Sequence, residues 1–279
     1  MPLTNTGDIV APASTHGNGV GAFNVIQIEH AEAFVTGAEQ AAMPVILQIS
    51  ENTAAYHGAI QPILAACLAI AGTAAVPVAV HLDHATQPDL VVEAVEHGVG
   101  SVMYDASVLP YEENVAATAK IASYCHEHGV WVEAELGEVG GKDGVHAPGA
   151  RTDPAEARRF VAATGVDALA VAVGTSHAMV TRDAVLDFEL IGRLHREVPV
   201  PLVLHGSSGV SDGDLARAVN AGMTKINIAT RLNDVFTKTA RARLTEFPST
   251  ADTRKYLGPA REAVSAEVAH LLTVLGSAG

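Results

Sequence analysis

The sequence predicts an α/β fold: a single (β/α)₈ TIM barrel that spans residues 1–279 as one domain and carries an extra C-terminal helix. Three observations predict it. Eight short apolar segments alternate with helical patterns along the chain. No Ser/Pro-rich linker divides the chain, and 279 residues is a common length for one such domain. A doubly wound open sheet is the alternative architecture.

The predicted strands are apolar, β-branched runs. They cover Val20–Val25, Pro44–Ser50, Val76–His84, Ser101–Asp105, Val130–Leu136, Ala168–Gly174, Pro201–His205 and Lys225–Ala229. Amphipathic or buried patterns between them predict helices over Glu29–Ala42, Ile60–Ala71, Leu90–His97, Tyr111–His128, Pro154–Thr164, Asp187–Glu197 and Asp212–Ala221. After Arg231 we expect a helix that breaks at Pro248–Thr253 and a last helix that opens at Gly258.

Composition argues against several partners. The 17 Lys and Arg residues against 31 Asp and Glu give a net charge of −14, which disfavours nucleic acid and anionic membranes. We expect no signal peptide, and Pro and Gly residues divide the apolar stretch Ile60–Val80 into a helix and a strand, not a membrane span. Cys67 and Cys125 lie far apart and suit a reducing cytosol, so we expect a cytoplasmic protein.

Three predicted strands end in histidine. The third ends in His81-Leu82-Asp83-His84, the sixth leads to His177 and the seventh ends at His205. Because the carboxyl ends of barrel strands meet at one mouth, three neutral imidazoles can meet there and leave the open fourth position of a catalytic zinc site. The alternative is that each histidine is a satisfied core or capping residue. Side chains alternate along a strand, so a kink is required to aim both Asp83 and His84 at the mouth.

Two loops at the same mouth predict a phosphate site. Gly206-Ser207-Ser208-Gly209 follows strand seven, and Asn227-Ile228-Ala229-Thr230 ends strand eight. The loops after strands seven and eight are the usual phosphate site of barrel enzymes, where backbone N–H groups cradle the anion. A metal, a phosphate site and a carboxylate together predict a phosphorylated carbonyl compound as the substrate.

In these segments the chain resembles the class II, zinc-dependent ketose-bisphosphate aldolases, over nearly its whole length. The resemblance rests on ordered motifs: Gly21–Asn24, His81–His84, Ser101–Ser107, Glu133–Gly137, Gly174–His177, Leu204–Gly209 and Lys225–Thr230. It implies a TIM barrel that cleaves fructose or tagatose 1,6-bisphosphate reversibly to dihydroxyacetone phosphate and glyceraldehyde 3-phosphate. No lysine is placed to form a Schiff base, and Lys225 is predicted to begin strand eight in a structural role.

The resemblance also implies residue roles. The zinc ligands would be His84, His177 and His205. Asp105 and Glu135 would be able to hold the ion in a displaced position. A monovalent cation is a candidate for a second bound ion. Asp83 would exchange a proton with the C4 hydroxyl, while Asn24 and Ser50 would meet the substrate's middle and its far hydroxyls. The dihydroxyacetone phosphate site would consist of Ala178, Gly206, Ser207, Ser208, Asn227, Ile228, Ala229 and Thr230. We expect a homo-oligomer, a dimer or tetramer.

The chain departs from the family in the loop after strand five. Family members usually have Gly-Gly-x-Glu-Asp there, and the Glu moves a proton at dihydroxyacetone phosphate. Here the loop reads Gly140-Gly141-Lys142-Asp143-Gly144, so we assign that role to Asp143, with Glu138 as the alternative. A second departure is Ala178, which stands where Gly is usual after the strand-six histidine.

Substrate preference depends on smaller features. Ala229, Met179 and Leu186-Asp187-Phe188 resemble the tagatose-bisphosphate type, which favours tagatose or relaxed specificity slightly over strict fructose specificity. The candidates for the distal phosphate are Arg231 and Arg151. Two rival functions are a metal-dependent sugar-phosphate epimerase or isomerase and a non-catalytic sugar-phosphate-binding subunit.

Overall fold

The strands form a closed parallel barrel. The computed structural model describes residues 2–136, 151–175, 182 and 184–276. Eight strands pair in chain order and β8 closes the barrel on β1, which confirms the predicted fold class. The strands are β1 Val20–Asn24, β2 Val45–Ser50, β3 Val78–Ala85, β4 Ser101–Tyr104, β5 Trp131–Leu136, β6 Ala168–Val171, β7 Leu202–Leu204 and β8 Met223–Ile228.

Helices surround the barrel and follow its strands. Those within the described residues are α1 Thr6–His16, α2 Ile28–Ala41, α3 Glu51–His57, α4 Gln61–Thr73, α5 Pro88–Glu96, α6 Tyr111–Glu127, α7 Pro154–Thr164, α8 Phe188–Glu197, α9 Asp212–Ala221, α10 Thr230–Glu246 and α11 Arg254–Gly276. The predicted break between the last two helices is present. No single helix in these ranges is both long and apolar enough to cross a membrane; α3 and α4 meet that test only together, and they are bent by 113°.

The structure corrects several boundaries. Helices α1 and α3 have no counterpart in the prediction, and α11 begins at Arg254 with Pro259 inside it instead of opening at Gly258. Strand β6 ends at Val171, before Gly174, whose φ of +119° is a conformation that suits glycine. Strand β8 starts at Met223, so Lys225 is its third residue and not its first.

The apolar core has an outer part and two smaller inner clusters. The outer part fills the space between the barrel and its outer helices. One inner cluster lies inside the barrel at the amino ends of the strands, where Ile9 and Val10 of α1 pack on Val20, Ile46 and Ala79. The other inner cluster consists of Met103, Ala168, Ala170 and Val203. Helix α1 therefore covers the amino end of the barrel, and the opposite end is left as the mouth.

Candidate active site at the carboxyl ends of the strands

Strand β3 has the kink that the sequence requires. His84 adopts a left-handed conformation with φ of +51°, and the pairing of β3 with β4 shifts register between Leu82 and Ala85. A non-glycine residue in this conformation costs roughly 1–2 kcal/mol and persists only where its surroundings over-determine it, which is common at functional sites. Here the kink turns both Asp83 and His84 toward the mouth.

The mouth gathers a set of metal-ligating groups. The ligand atoms of Asp83, His84 and His205 all lie within 4.8 Å of one another, as do those of His84, Asp105 and Glu135. His84 Nδ1 is 2.8 Å from Asp105 Oδ2, and His205 Nδ1 is 3.2 Å from Glu135 Oε2. Imidazole nitrogens and carboxylate oxygens are donors that zinc accepts in catalytic sites, so these residues fit a divalent metal. His177, Ala178 and Asp143 lie outside the described residues, where their roles stay predictions.

His205 is held from both sides. It is fully buried, with Nε2 3.0 Å from Glu133 Oε1. Burial lowers the pKa of His205, but the bonds to Glu133 and Glu135 outweigh it and raise the pKa to about 9. Burial likewise raises the pKa of Glu133, yet the ammonium of Lys225, 2.9 Å away, brings that pKa below its usual range. The two carboxylates therefore stabilise the charged form of the imidazole.

Asp83 is an ionised carboxylate with one oxygen available. Asn24 Nδ2 donates to Asp83 Oδ2 at 2.8 Å, and Gln48 Nε2 donates to Asn24 Oδ1 at 3.1 Å. Asp83 Oδ1 is buried and has no hydrogen-bond partner among the described residues. Burial raises the pKa of Asp83, but the charges of His84 and Lys225 lower it by more, so the pKa lies well below the usual range. Such a group can accept a proton from a hydroxyl placed against its open oxygen.

The two predicted phosphate loops are joined through one hydroxyl. Gly206, at φ of +66°, leads into a short 3-10 turn over Ser207–Gly209. Ser208 Oγ accepts the backbone N–H of Ala229 at 3.3 Å and that of Arg231 at 3.2 Å. The loop after β7 and the start of α10 therefore form one unit beside His205.

Comparison with known proteins identifies the family. A family model described as fructose-bisphosphate aldolase class-II matches residues 4–279. The chain belongs to the class II fructose-bisphosphate aldolase family. It is 39% identical over 281 residues to a Bacillus subtilis (strain 168) protein named probable fructose-bisphosphate aldolase, covering 99% of each. It is therefore an aldolase, a lyase of a metal-dependent family.

Solved structures agree with this assignment. The YdjI aldolase of Escherichia coli K12 is 31% identical and superposes with a TM-score of 0.84 over 99% of this chain and 98% of that one. The fructose-bisphosphate aldolase of Campylobacter jejuni has a TM-score of 0.82 over 98% of this chain and 95% of that one; at 22% identity it supports the fold alone.

Other predicted substrate residues of this aldolase have differing surroundings. Ser50 pairs in register with Asp83, and its Oγ caps α3 by accepting the N–H of Thr53 at 3.2 Å. Asn227 is buried, and its Nδ2 has no hydrogen-bond partner in the described part of the chain. Ile228 packs its side chain into the outer core, so only its main chain could meet a substrate. Thr230 is the first residue of α10.

Arg231 has carboxylate partners that the sequence does not indicate. Its guanidinium is 2.7 Å from Asp212 Oδ1 and also contacts Glu267 Oε1. These pairs tie α10 to α9 and α11, which favours a structural role over the distal phosphate. Arg151 stays a prediction for that phosphate.

Sequence reasoning gave no role to Gln48 or Glu133. Gln48 pairs in register with both Asn24 and His81, residues already singled out. Glu133 alternates with Glu135 on β5, so the two carboxylates share the inner face of the barrel. That alternation is the signal that could have found Glu133.

Proposed function

We propose that this aldolase uses zinc to cleave a ketose 1,6-bisphosphate, fructose or tagatose 1,6-bisphosphate, reversibly to dihydroxyacetone phosphate and glyceraldehyde 3-phosphate. The observation that carries the proposal is the convergence of Asp83, His84 and His205 at one point of the mouth, beside the joined loops at Ser208. The name of the Bacillus subtilis relative supports a fructose-type substrate, whereas Ala229 favours the tagatose type.

In this proposal the zinc ligands are His84 and His205, with His177 as the third. Asp105 and Glu135 lie against the two described histidines and would hold the ion in a displaced position. Bound zinc would polarise the C2 carbonyl of the substrate and stabilise the negative charge that develops on its oxygen. All the remaining work falls to side chains and backbone groups of this chain.

Asp83 takes the proton in the cleavage direction. Its open Oδ1 receives the proton of the C4 hydroxyl, the C4 oxygen forms the aldehyde of glyceraldehyde 3-phosphate, and the C3–C4 electron pair stays on C3. A proton delivered to C3 then completes dihydroxyacetone phosphate. We assign that delivery to Asp143. Asn24 keeps Asp83 oriented, because its amide donates to the other carboxylate oxygen.

The phosphate of the dihydroxyacetone half would lie against Gly206, Ser207 and Ser208 and the start of α10. Backbone N–H groups at such a position bind an anion without a basic side chain, which suits a chain with a net charge of −14. We further propose that the enzyme is cytoplasmic and homo-oligomeric. The first of these is supported by its two buried, unpaired cysteines, Cys67 and Cys125.

The test is triose phosphate release from fructose and tagatose 1,6-bisphosphate, measured side by side with zinc and after chelation. We expect cleavage that chelation abolishes and zinc restores, and the ratio of the two rates identifies the preferred sugar. His205→Gln should abolish the cleavage. His128→Gln is the control, since His128 is exposed at a helix end and its Nδ1 contacts the Tyr124 carbonyl.

Three outcomes would contradict the proposal. Zinc-loaded protein that cleaves neither sugar excludes the bisphosphate assignment. Conversion of one sugar phosphate into another without triose phosphates indicates an epimerase or isomerase. Sugar-phosphate binding without any turnover indicates a non-catalytic binding subunit.

A further inference from the structure

An ion pair lies inside the barrel, below the mouth. Glu133 of β5 and Lys225 of β8 are both fully buried, and Glu133 Oε2 is 2.9 Å from Lys225 Nζ. The same interior contains the apolar side chains of Met103, Ala170 and Val203. Burying two charges costs more than apolar side chains of similar volume would, so stability alone does not account for this pair.

The first consequence of the pair concerns His205. An ionised carboxylate only accepts hydrogen bonds, so the imidazole nitrogen that faces Glu133 Oε1, Nε2 at 3.0 Å, must carry the hydrogen. The charged ring would also donate from Nδ1 to Glu135 Oε2, 3.2 Å away. A metal requires the neutral ring, in which the hydrogen stays on Nε2 and the lone pair is on Nδ1, on the side where the other candidate ligands meet.

The second consequence concerns Asn227. An ammonium only donates hydrogen bonds, so Lys225 Nζ, 2.9 Å from Asn227 Oδ1, fixes which end of the amide faces it. Nδ2 must then face away. It is buried without a partner among the described residues, which leaves a donor available for an oxygen of the substrate.

We infer that Glu133 and Lys225 are a pair of positioning residues: Glu133 fixes His205 so that Nδ1 binds the metal, and Lys225 fixes Asn227 so that Nδ2 donates to the substrate. This inference rests on the proposed function, in which His205 is a zinc ligand and Asn227 a substrate contact. The pair itself touches neither zinc nor substrate. The pair acts through His205, which contacts the metal, and through Asn227, which contacts the substrate.

Two matched double variants separate this role from a structural one. Glu133→Gln with Lys225→Met, and Glu133→Met with Lys225→Met, both remove the two charges, so neither leaves a buried ion unpaired. Only the first keeps an acceptor for His205 Nε2–H. We expect the Met/Met variant to bind zinc about 10–100-fold more weakly than the Gln/Met variant, the usual effect of losing an outer partner of a metal ligand. Competition with a chromophoric chelator measures this without turnover.

The Asn227 arm uses kinetics. In the Gln/Met variant we expect KM for the bisphosphate to rise about 5–10-fold, the size of one hydrogen bond, with a smaller change in kcat. Asn227→Ala should then raise KM less in that variant than in the wild type, because the two changes remove the same contact. Equal effects of Asn227→Ala in both backgrounds would overturn this arm.

The outcomes distinguish this inference from the proposed function. Wild-type protein that binds no zinc overturns both. Wild-type binding with equal affinities in the two folded double variants overturns the inference alone. Circular dichroism and thermal unfolding report whether each variant folds. If either does not, a crystal structure of zinc-loaded wild type decides: coordination by His205 Nδ1 supports the inference, and coordination by Nε2 overturns it.

Discussion

His205 at the mouth and His30 in helix α2 are both buried, at 0% and 4% exposure, but their surroundings are opposite. His205 has carboxylates on both ring nitrogens and a pKa raised to about 9. His30 stacks on Phe34 and meets the edge of Phe236, and burial lowers its pKa to about 4.

The difference shows what separates a site from a core. His30 is satisfied locally, because its Nδ1 is 3.2 Å from the backbone N–H of Ile26 and accepts from it. Its ring stays neutral and serves as an aromatic side chain in the outer layer. His205 is surrounded by charges that have no packing function of their own. Buried carboxylates around a histidine, and not burial of the histidine, distinguish the mouth.

The largest effect we predict tests whether the carboxylates at the mouth, which distinguish it from the surroundings of His30, take part in catalysis. Asp83→Asn should lower kcat for triose phosphate release by about 10²–10⁴-fold, because the amide cannot take the C4 hydroxyl proton. Asp89→Asn is the control, since Asp89 is exposed in the first turn of α5. A kcat of Asp83→Asn close to that of the control would remove Asp83 from the mechanism.

The second prediction tests the other half of the contrast. The folded protein holds His30 neutral down to a pKa of about 4, whereas in the unfolded chain it titrates near 6.5. As pH falls from 7 to 4 the unfolded state alone gains this proton, so stability is lost in that window, by about 3 kcal/mol. His30→Gln removes the titration and can keep an acceptor for Ile26.

The measurement is the free energy of unfolding in urea at several pH values for wild type and His30→Gln, both without metal. Other titrating groups are common to the two proteins and cancel in the difference. The wild type should lose about 3 kcal/mol more than the variant between pH 7 and pH 4. Parallel pH profiles would mean that His30 is protonated in the folded state and that the contrast with His205 is false.

The barrel and part of the mouth could be predicted from sequence because both follow from local rules. Strand and helix alternate with the expected patterns, and strand ends in a barrel must converge. The kink at His84 is required by the two-residue period of a strand once Asp83 and His84 are both assigned to the mouth. Helix α1 escapes the same rules, because it contains Pro12 and buries only four residues, Thr6, Ile9, Val10 and Ala13.

The interior network could not be predicted because it depends on geometry across the barrel. Glu133 is on β5 and Lys225 on β8, and these strands are not neighbours in the sheet. Which inward side chains meet is set by strand tilt and stagger, which no local pattern encodes. The expected start of β8 at Lys225 adds to this, because it places the lysine at the barrel end and not beneath Asn227.

The smallest effect we predict concerns backbone conformation, because His84 is left-handed and His205 is not. At φ of +51° a residue with a Cβ is strained and glycine is not. Metal-free His84→Gly should therefore be more stable than metal-free His84→Ala by about 1 kcal/mol, although both lose the same imidazole. At Ala266, exposed within α11, Ala→Gly should instead destabilise by about 0.5–1 kcal/mol. Urea unfolding measures both, and an Ala variant as stable as Gly at position 84 would mean that the kink relaxes once the histidine is gone.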